Sequence, residues 1–354
     1  MESFSALKSS LQTRARDLGF DLCQVTTADP APHHAAFRDW LEDGKHASMS
    51  WLERGADKRG DLQLVLPGTQ AIVVLATNYF QGEPLSNNVA EVAHAPGRGR
   101  IARYAWGKDY HDLIELRLRE LSVFLTTNGG AQKSYTDTGP ILERDFAARA
   151  GIGWQGKSTM VLNRELGTWF FLSVILTTLP LPPDAPATAH CGSCTRCIDA
   201  CPTAAIIAPY QLDARRCLSY LTIENKGSIP LEYREALGDR IYGCDECLDV
   251  CPWNRFAKTS REAAFAILPG SQPAHLRDYL AWDDETFRAR FRGSPIKRIK
   301  RRGFLRNVCV ALGNIGTGED LPALQKASLD PEPLIAEHAA WAVEKIVSRS
   351  ASQT

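Results

Sequence analysis

The sequence predicts an α+β protein in three parts, and three observations lead to that prediction. Helix and strand patterns are mixed through residues 1–178, as expected when helices pack on a largely antiparallel sheet. Eight of the ten cysteines fall between Cys191 and Cys251, and a helical pattern near the end recurs 31 residues later, at Ala311 and again at Ala342. We therefore place the parts at residues 1–178, 179–260 and 261–354.

The first part contains apolar positions with helical or strand spacing. Helices are expected at residues 3–17, 35–41, 49–54, 109–125 and 141–150. Strands are expected at residues 20–25, 71–76 and 101–106, with another ending at 135–137. Two further strands, 159–162 and 168–176, are predicted to pair through the Glu165-Leu-Gly167 turn. The proline-rich residues 179–187 then form a linker.

The middle part is defined by two cysteine blocks. The first reads Cys191-x2-Cys194-x2-Cys197-x3-Cys201-Pro, and the second reads Cys244-x2-Cys247-x3-Cys251-Pro. This is the spacing of bacterial ferredoxins, in which the fourth cysteine ligates the other [4Fe–4S] cluster. Ile241 occupies the first position of the second block, so Cys217 is the expected substitute. The predicted ligands are Cys191, Cys194, Cys197 and Cys251 for one cluster, and Cys201, Cys217, Cys244 and Cys247 for the other.

Zinc and disulfides are the alternatives for these cysteines. Two zinc sites would also use eight thiolates, but zinc does not require this spacing with proline after the last cysteine. The sequence shows neither a signal segment nor an apolar run long enough for a membrane span. A reducing cytoplasm is therefore expected, where disulfides are rare. Cys23 and Cys309 lie apart from the blocks on apolar faces and are predicted core residues.

Charge is distributed unevenly along the chain. The formal net charge is zero, with 44% hydrophobic and 23% charged residues, which is ordinary for a globular chain of two or three domains. Residues 288–306 nevertheless hold nine Lys or Arg and no Asp or Glu. A solvated face is the ordinary interpretation, but the missing acids favour contact with a polyanion such as nucleic acid.

Two local motifs allow more than one interpretation. Gly151-Ile-Gly-Trp-Gln-Gly-Lys157-Ser158 satisfies the P-loop pattern, but the following residues favour a strand instead of the helix that such a loop requires. Nucleotide hydrolysis is therefore not expected, whereas phosphate contact stays open. Asp137 beside the Gly139-Pro140 turn is ordinarily a turn or cap residue, and it becomes a candidate general acid only beside a cofactor.

The C-terminal part contains a short repeat. Ala311-Leu312-x2-Ile315 recurs as Ala342-Val343-x2-Ile346, with a predicted helix at 321–329 between them. Helix pairs at this spacing indicate a HEAT-like repeat. The same residues would equally serve as a cap that completes the fold.

Several longer strings resemble the epoxyqueuosine reductase family over nearly the whole chain. They are Ile101-Ala-Arg-Tyr-Ala-Trp-Gly-Lys-Asp-Tyr-His111, Asp137-Thr-Gly-Pro-Ile-Leu-Glu143, Gly153-Trp-Gln-Gly-Lys157, Asp213-Ala-Arg-Arg-Cys-Leu-Ser-Tyr-Leu-Thr-Ile-Glu224, Ile241-Tyr-Gly-Cys-Asp245 and Cys251-Pro-Trp-Asn254. The cluster spacing is shared by many ferredoxin-like proteins, whereas the combination is specific.

The resemblance implies a cytoplasmic oxidoreductase that reduces epoxyqueuosine to queuosine at the wobble position of tRNA. It implies base-off cobalamin, in the cob(II)alamin state, bound by the first part and supplied with electrons by two [4Fe–4S] clusters. Asp137 matches the family's proton donor. Further cobalamin contacts are expected from Arg59, Tyr104, Lys157, Ser158 and Ser219. The expected tRNA contacts are Lys226, Lys297, Arg298, Lys300, Arg301 and Arg302.

One departure concerns the axial ligand of cobalt. The motif Asp-x-His-x-x-Gly, which supplies a histidine ligand, is nearly matched by Asp109-Tyr-His111, but Ile114 stands where glycine is required. A histidine-ligated cobalamin is therefore not expected. An external one-electron donor of the flavodoxin or ferredoxin type and a monomeric state are expected. The alternative functions are a ferredoxin-like electron carrier and a corrinoid reductase of the reductive-dehalogenase type.

Overall fold

The computed structural model describes residues 3–82, 98–267 and 275–352. The strands are β1 (Leu22–Thr27), β2 (Ala71–Asn78), β3 (Arg100–Ile101), β4 (Gln132–Tyr135), β5 (Trp154–Gln155), β6 (Val161–Leu162), β7 (Phe170–Thr177), β8 (Ile206–Ala208), β9 (Gln211–Leu212) and β10 (Arg240–Tyr242). The α-helices are α1 (Phe4–Asp17), α2 (His34–Glu42), α3 (Ser50–Arg54), α4 (Ala56–Gly60), α5 (Tyr110–Thr127), α6 (Glu143–Arg149), α7 (Arg196–Asp199), α8 (Leu218–Ile223), α9 (Leu231–Leu237), α10 (Glu246–Asp249), α11 (Asp284–Arg290), α12 (Lys300–Ile315), α13 (Leu321–Ala327) and α14 (Pro333–Ala351). The mixed α and β content agrees with the predicted fold class.

The largest sheet has four strands in the order β1-β2-β7-β4, and every neighbouring pair is antiparallel. β2 is buried along its whole length because both faces of the sheet are covered. Val73 and Leu75 share a core with α1 and α5. Ile72 and Val74 share a second core with Phe146 of α6. The alternation of side chains along a strand therefore explains why an uninterrupted apolar run forms the sheet centre.

Two strand predictions are wrong. Of residues 101–106, only Ile101 is in a strand, and Arg103–Ala105 forms a 3-10 helix. β6 pairs with β5 instead of with β7, and the predicted turn contributes only an isolated bridge between Asn163 and Gly167. β7 instead lies between β2 and β4, and it pairs with β2 along its whole length, whereas β6 is only two residues long.

The end of β4 lies close to the start of α5 and forms the corner that contains Asp137. Asp109 caps α5 by accepting a hydrogen bond from the His111 backbone N–H, as short acidic side chains commonly do at helix starts. Tyr110 and His111 therefore occupy the first turn of the helix. β4 ends at Tyr135, and the chain turns sharply at residues 136–138 before α6 begins at Glu143.

The C-terminal helices enclose their own core. α12 packs against α14, and the aromatic side chains Tyr279, Phe287, Phe291 and Phe304 contact one another beneath it. Ile101 and Ala105, from the first part of the sequence, lie in this same core, and β3 pairs in parallel with β10. Among the helices of the described ranges, none has the length and apolar character needed to cross a membrane.

Candidate active site

The cysteines of the middle part group into two sets of four. Burial, followed by the charges of Cys191, Cys197 and Cys194, raises the pKa of Cys251 to about 11. Three cysteines of the first block therefore lie within electrostatic reach of the last cysteine of the second block, which is consistent with the crossover that the spacing predicts. Short helices position both blocks, because α7 follows Cys194 and packs against α10, which follows Cys244.

The second set forms around Cys247. Burial raises its pKa well above the usual value, and the charges of Cys217, Cys244 and Cys201 add to the effect. Cys217 stands at the start of α8, and its charge also contributes to raising the pKa of Cys244. All ten cysteines are free thiols. Within residues 3–82, 98–267 and 275–352, there is no group of three or more His, Cys, Asp or Glu side chains close enough to hold a single metal ion. A four-iron cluster is larger than one ion, so the cysteines that bind it lie further apart.

Asp137 occupies a strained turn at the end of β4. Its φ is +61°, and the Thr138 N–H donates to the Thr136 carbonyl at 2.8 Å. A three-residue turn with a positive φ at its centre is rare and strained for a residue other than glycine. The Asp137 side chain is 63% exposed, so the turn presents a carboxylate to the surface.

Neighbouring side chains fix the Asp137 carboxylate. The Tyr110 hydroxyl donates to its Oδ2 at 2.9 Å, and His111 Nε2 lies 3.9 Å from the same oxygen. Burial and the Asp137 charge raise the pKa of Tyr110, so the phenol keeps the proton that it donates. The arrangement provides one carboxyl group with a fixed donor and a titratable imidazole beside it.

His111 is held by Asp109 on its other side. His111 Nδ1 is 2.8 Å from Asp109 Oδ1, and Lys297 Nζ is 3.3 Å from Asp109 Oδ2. Burial would raise the pKa of Asp109, but the hydrogen bonds from His111 and Lys297 bring it below its usual range. Ile114, which departs from the cobalamin motif, is fully buried in the core. His111 therefore faces two carboxylates.

Sequence reasoning missed Glu143 as a site residue. Its Oε1 accepts a hydrogen bond from the Asp137 backbone N–H at 3.2 Å. Burial, followed by the Asp137 charge, raises its pKa to about 8, although Arg144 and Arg59 act against the increase. The available signal was its position at the end of the family string that begins at Asp137.

Arg59 and Tyr104, expected cobalamin contacts, lie near this corner. Arg59 is buried, and its Nη1 has no hydrogen-bond partner among the described residues. Gly55 leaves room for this guanidinium, since a Cβ there would collide with it. Tyr104 packs against Tyr110, and the Asp137 charge contributes to raising its pKa after burial. An orphaned buried N–H group fits a cofactor with amide and phosphate oxygens.

The other expected cobalamin contacts lie towards the cysteines. Lys157 Nζ donates to the carbonyls of Gly192 and Cys194 at 2.7 and 3.0 Å. Ser158 is buried in the glycine-rich loop, and Ser219 is in α8, two residues after Cys217. No helix follows the loop, because Val161–Leu162 is a strand. The P-loop interpretation is therefore wrong.

The basic stretch contains side chains of two kinds. Lys297 and Arg298 are about half exposed, and Lys300 and Arg302 are exposed. Partial burial would lower the pKa of Arg298, but the charges of Glu224 and Asp137 raise it. Lys226 joins this group, since burial and then the charges of Arg298, Arg306 and Arg302 lower its pKa. These side chains form a positive surface, in which Arg298 is paired with Glu224 at 2.7 Å and lies within electrostatic reach of Asp137.

Arg301 does not belong to that surface. Its Nη2 lies 2.5 Å from Asp330 Oδ2, its Nε donates to the Trp282 carbonyl, and only 16% of its side chain is exposed. These contacts favour a structural role for Arg301, whereas the tRNA contact expected from the sequence stays a prediction. Arg306, which was counted in the same stretch, is fully buried and donates to the carbonyls of Leu221, Asn225 and Gly227.

Comparison with known proteins first defines the class. The family model described as "4Fe-4S double cluster binding domain" matches residues 190–254. The protein is therefore an iron–sulfur protein with a double-cluster domain, and the prediction of [4Fe–4S] clusters over zinc is confirmed.

The particular family follows from longer matches. The model "Epoxyqueuosine reductase QueG, DUF1730" matches residues 59–138. The chain is 43% identical to the epoxyqueuosine reductase of Xanthomonas campestris pv. campestris, over 94% of each chain. It also resembles an epoxyqueuosine reductase whose structure was solved with an epoxyqueuosine-modified stem loop of tyrosine tRNA. The TM-score is 0.89 at 34% identity, and the match covers 97% of this chain and 91% of that one. The Bacillus subtilis enzyme, solved with its catalytic aspartate loop swung out of the active site, gives a TM-score of 0.87 at 33% identity, with the same coverage. The chain belongs to the epoxyqueuosine reductase family and is a reductase.

Proposed function

We propose that this reductase converts epoxyqueuosine to queuosine at the wobble position of tRNA. The observation that carries the proposal is the position of Asp137. Its exposed carboxylate is held by Tyr110 and lies within electrostatic reach of Arg298 on the positive surface. An acid beside an RNA-binding surface is what a proton-dependent reaction on a tRNA base requires. The related structure with a modified stem loop supports the same substrate class.

The reaction needs two electrons and two protons, because the epoxide becomes an alkene and its oxygen leaves as water. We propose Asp137 as the donor of one proton to the departing oxygen. Tyr110 fixes the orientation of the carboxyl group, and the imidazole of His111, held by Asp109, lies next to it.

The electron path is proposed from the two cysteine sets. Cys191, Cys194, Cys197 and Cys251 would hold one cluster, and Cys201, Cys217, Cys244 and Cys247 the other, in agreement with their mutual influence on pKa. An external one-electron donor of the flavodoxin or ferredoxin type would reduce them. Since cubanes transfer single electrons, two clusters suit a two-electron reaction.

We propose base-off cobalamin as the cofactor between clusters and substrate. When bound, it supplies a cobalt centre whose reactivity depends on its axial ligands. The proposed contacts are Arg59, Tyr104, Asp137, Lys157, Ser158 and Ser219. The unpartnered Nη1 of Arg59 supports this assignment.

The proposed tRNA contacts are Lys226, Lys297, Arg298, Lys300 and Arg302. All are charged side chains of the positive surface. We further propose the three-part division at residues 1–178, 179–260 and 261–354, with the C-terminal helices as a HEAT-like platform beneath the RNA. The pairing of the long helices α12 and α14 supports this last point.

Conversion of the modified tRNA tests the proposal directly. Anaerobically prepared protein with both clusters, cobalamin and a reductant should convert epoxyqueuosine tRNA to queuosine tRNA, as measured by mass spectrometry of digested nucleosides. The Asp137→Ala variant should keep iron, cobalt and tRNA binding but lose turnover by at least a hundredfold, within the range for a lost general acid. Absence of product from the fully loaded wild-type protein would refute the function; wild-type turnover in the variant would remove Asp137 from the mechanism.

A further inference from the structure

We propose that Glu143 is a positioning residue that holds the Asp137 turn, residues 136–138, in its productive conformation. The inference rests on the proposed function, in which Asp137 is the acid. It concerns a hydrogen bond to the backbone of Asp137, so Glu143 acts through Asp137 and does not itself contact the substrate.

The turn needs an external partner because its own geometry is unfavourable. The hydrogen bond from the Thr138 N–H to the Thr136 carbonyl closes the turn around Asp137, whose φ is +61°. A residue with a side chain keeps such a conformation only when its surroundings impose it. Gly139 also packs closely there, since a Cβ at this position would collide with the ring of Tyr135.

Two contacts hold the turn, one on each side of Asp137. Tyr110 binds the carboxylate, and Glu143 accepts the backbone N–H at 3.2 Å. The Tyr110 contact would follow the carboxylate if the side chain rotated, whereas the Glu143 contact fixes the backbone itself. Loss of the Glu143 acceptor would leave the amide without this partner and allow the strained turn to relax.

The environment of Glu143 suits this role. Burial, followed by the Asp137 charge, raises its pKa to about 8, which favours the protonated form more than for an ordinary glutamate. A protonated carboxyl group still accepts a hydrogen bond through its carbonyl oxygen, and it adds little negative charge beside Asp137. Glutamine reproduces that neutral form, with the same length and the same acceptor.

The ordinary interpretation is that Glu143 only stabilises α6, whose first turn it occupies. Asp145 supplies the matched control. It lies in the same turn, is buried, and accepts hydrogen bonds from the backbone and the ring of His33. The Asp145→Ala variant should be less stable but should not alter the Asp137 turn.

The test compares Glu143→Ala, Glu143→Gln and Asp145→Ala with the wild type at a temperature where all are folded. We expect Glu143→Ala to lower kcat about tenfold with KM for tRNA unchanged, and amide hydrogen exchange of residues 136–140 to become at least tenfold faster. Glu143→Gln should restore both quantities to within about twofold of wild type. Asp145→Ala should keep wild-type kcat and exchange in these residues.

Three results would overturn the proposal: exchange and kcat of Glu143→Ala within twofold of wild type, a kcat loss without faster exchange, or a Gln variant as impaired as the Ala variant. Exchange is measured without substrate or turnover. If the wild-type protein makes no queuosine, the proposed function fails, while the exchange comparison still decides whether Glu143 holds the turn.

Discussion

Arg301 and Arg302 are adjacent in the sequence, but we expect opposite consequences when each is replaced by alanine. Arg302 is exposed, and its charge contributes to lowering the pKa of Lys226, so it belongs to the positive surface. Arg301 is paired with Asp330 and with the Trp282 carbonyl. Arg302→Ala should therefore weaken RNA binding, and Arg301→Ala should weaken the fold.

The expected magnitudes follow from these contacts. One lost phosphate contact makes the slope of log K against log salt less steep by about 0.7 to 0.9. Raising the salt from 50 to 200 mM should therefore weaken RNA binding by Arg302→Ala about threefold less than binding by the wild type. Breaking a buried ion pair costs about 3–5 kcal/mol. Because the Arg301 and Asp330 side chains retain 16% and 11% exposure, we expect about 2–3 kcal/mol, or roughly 3–4 °C in Tm for a chain of 354 residues.

Two measurements on each variant separate these effects. Binding of an anticodon stem loop is measured at four salt concentrations, and thermal unfolding is followed by circular dichroism under anaerobic conditions. Arg302→Ala should show a reduced slope and a wild-type Tm, and Arg301→Ala the reverse. A reduced salt slope in Arg301→Ala together with an unchanged slope in Arg302→Ala would refute the assignment of the two side chains.

Two further predictions concern the clusters and the C-terminal helix. Cys217→Ser should lower the iron content from about eight to about four atoms per chain, since one cluster loses a ligand. The control variant Cys23→Ser should keep the full iron content. A full iron content in Cys217→Ser would exclude Cys217 as a ligand. His338 is fully buried, and its Nε2 accepts a hydrogen bond from the Ile229 N–H while Nδ1 lies 2.7 Å from the Leu334 carbonyl. Burial, followed by the charge of Arg234, lowers the pKa of His338 from 6.5 to about 4. Between these two pH values the unfolded chain therefore binds a proton at His338 more readily than the folded chain does. The contribution of neutral His338 to the free energy of unfolding should therefore be fully present above about pH 6.5. It should fall by about 2–3 kcal/mol as the pH falls to about 4. If a His338→Gln variant lost the same stability between pH 6.5 and 4, His338 would not be the cause.

Local patterns in the sequence were sufficient for most of the helices and strands. The run that became β2 and the amphipathic segment that became α5 were predicted because burial on one or both faces leaves a periodic signal. The cluster class was also predictable, since four thiolates around a cubane require a fixed local spacing. The substitution of Cys217 for the missing cysteine was inferred from the spacing, and its place near Cys247 in the structure is consistent with that inference.

Strand pairing and the roles of individual charges depended on the tertiary structure. β6 was predicted to pair with its sequence neighbour β7 but pairs with β5, because pairing depends on which partners the packed helices bring together. Apart from its position at the end of the family string, Glu143 gave no signal, since a glutamate at a helix start is common and only the fold brings it to the Asp137 amide.

The sequence by itself determined that this chain carries a double-cluster segment, an acidic residue at a tight turn and a concentration of positive charge. These properties depend on residue type and on short spacings. The tertiary structure alone decided that Asp137 is held in a left-handed conformation, and that Arg302 faces solvent while Arg301 is paired with Asp330. The physical reason is that burial and hydrogen bonding between residues far apart in the chain depend on how the helices and strands pack.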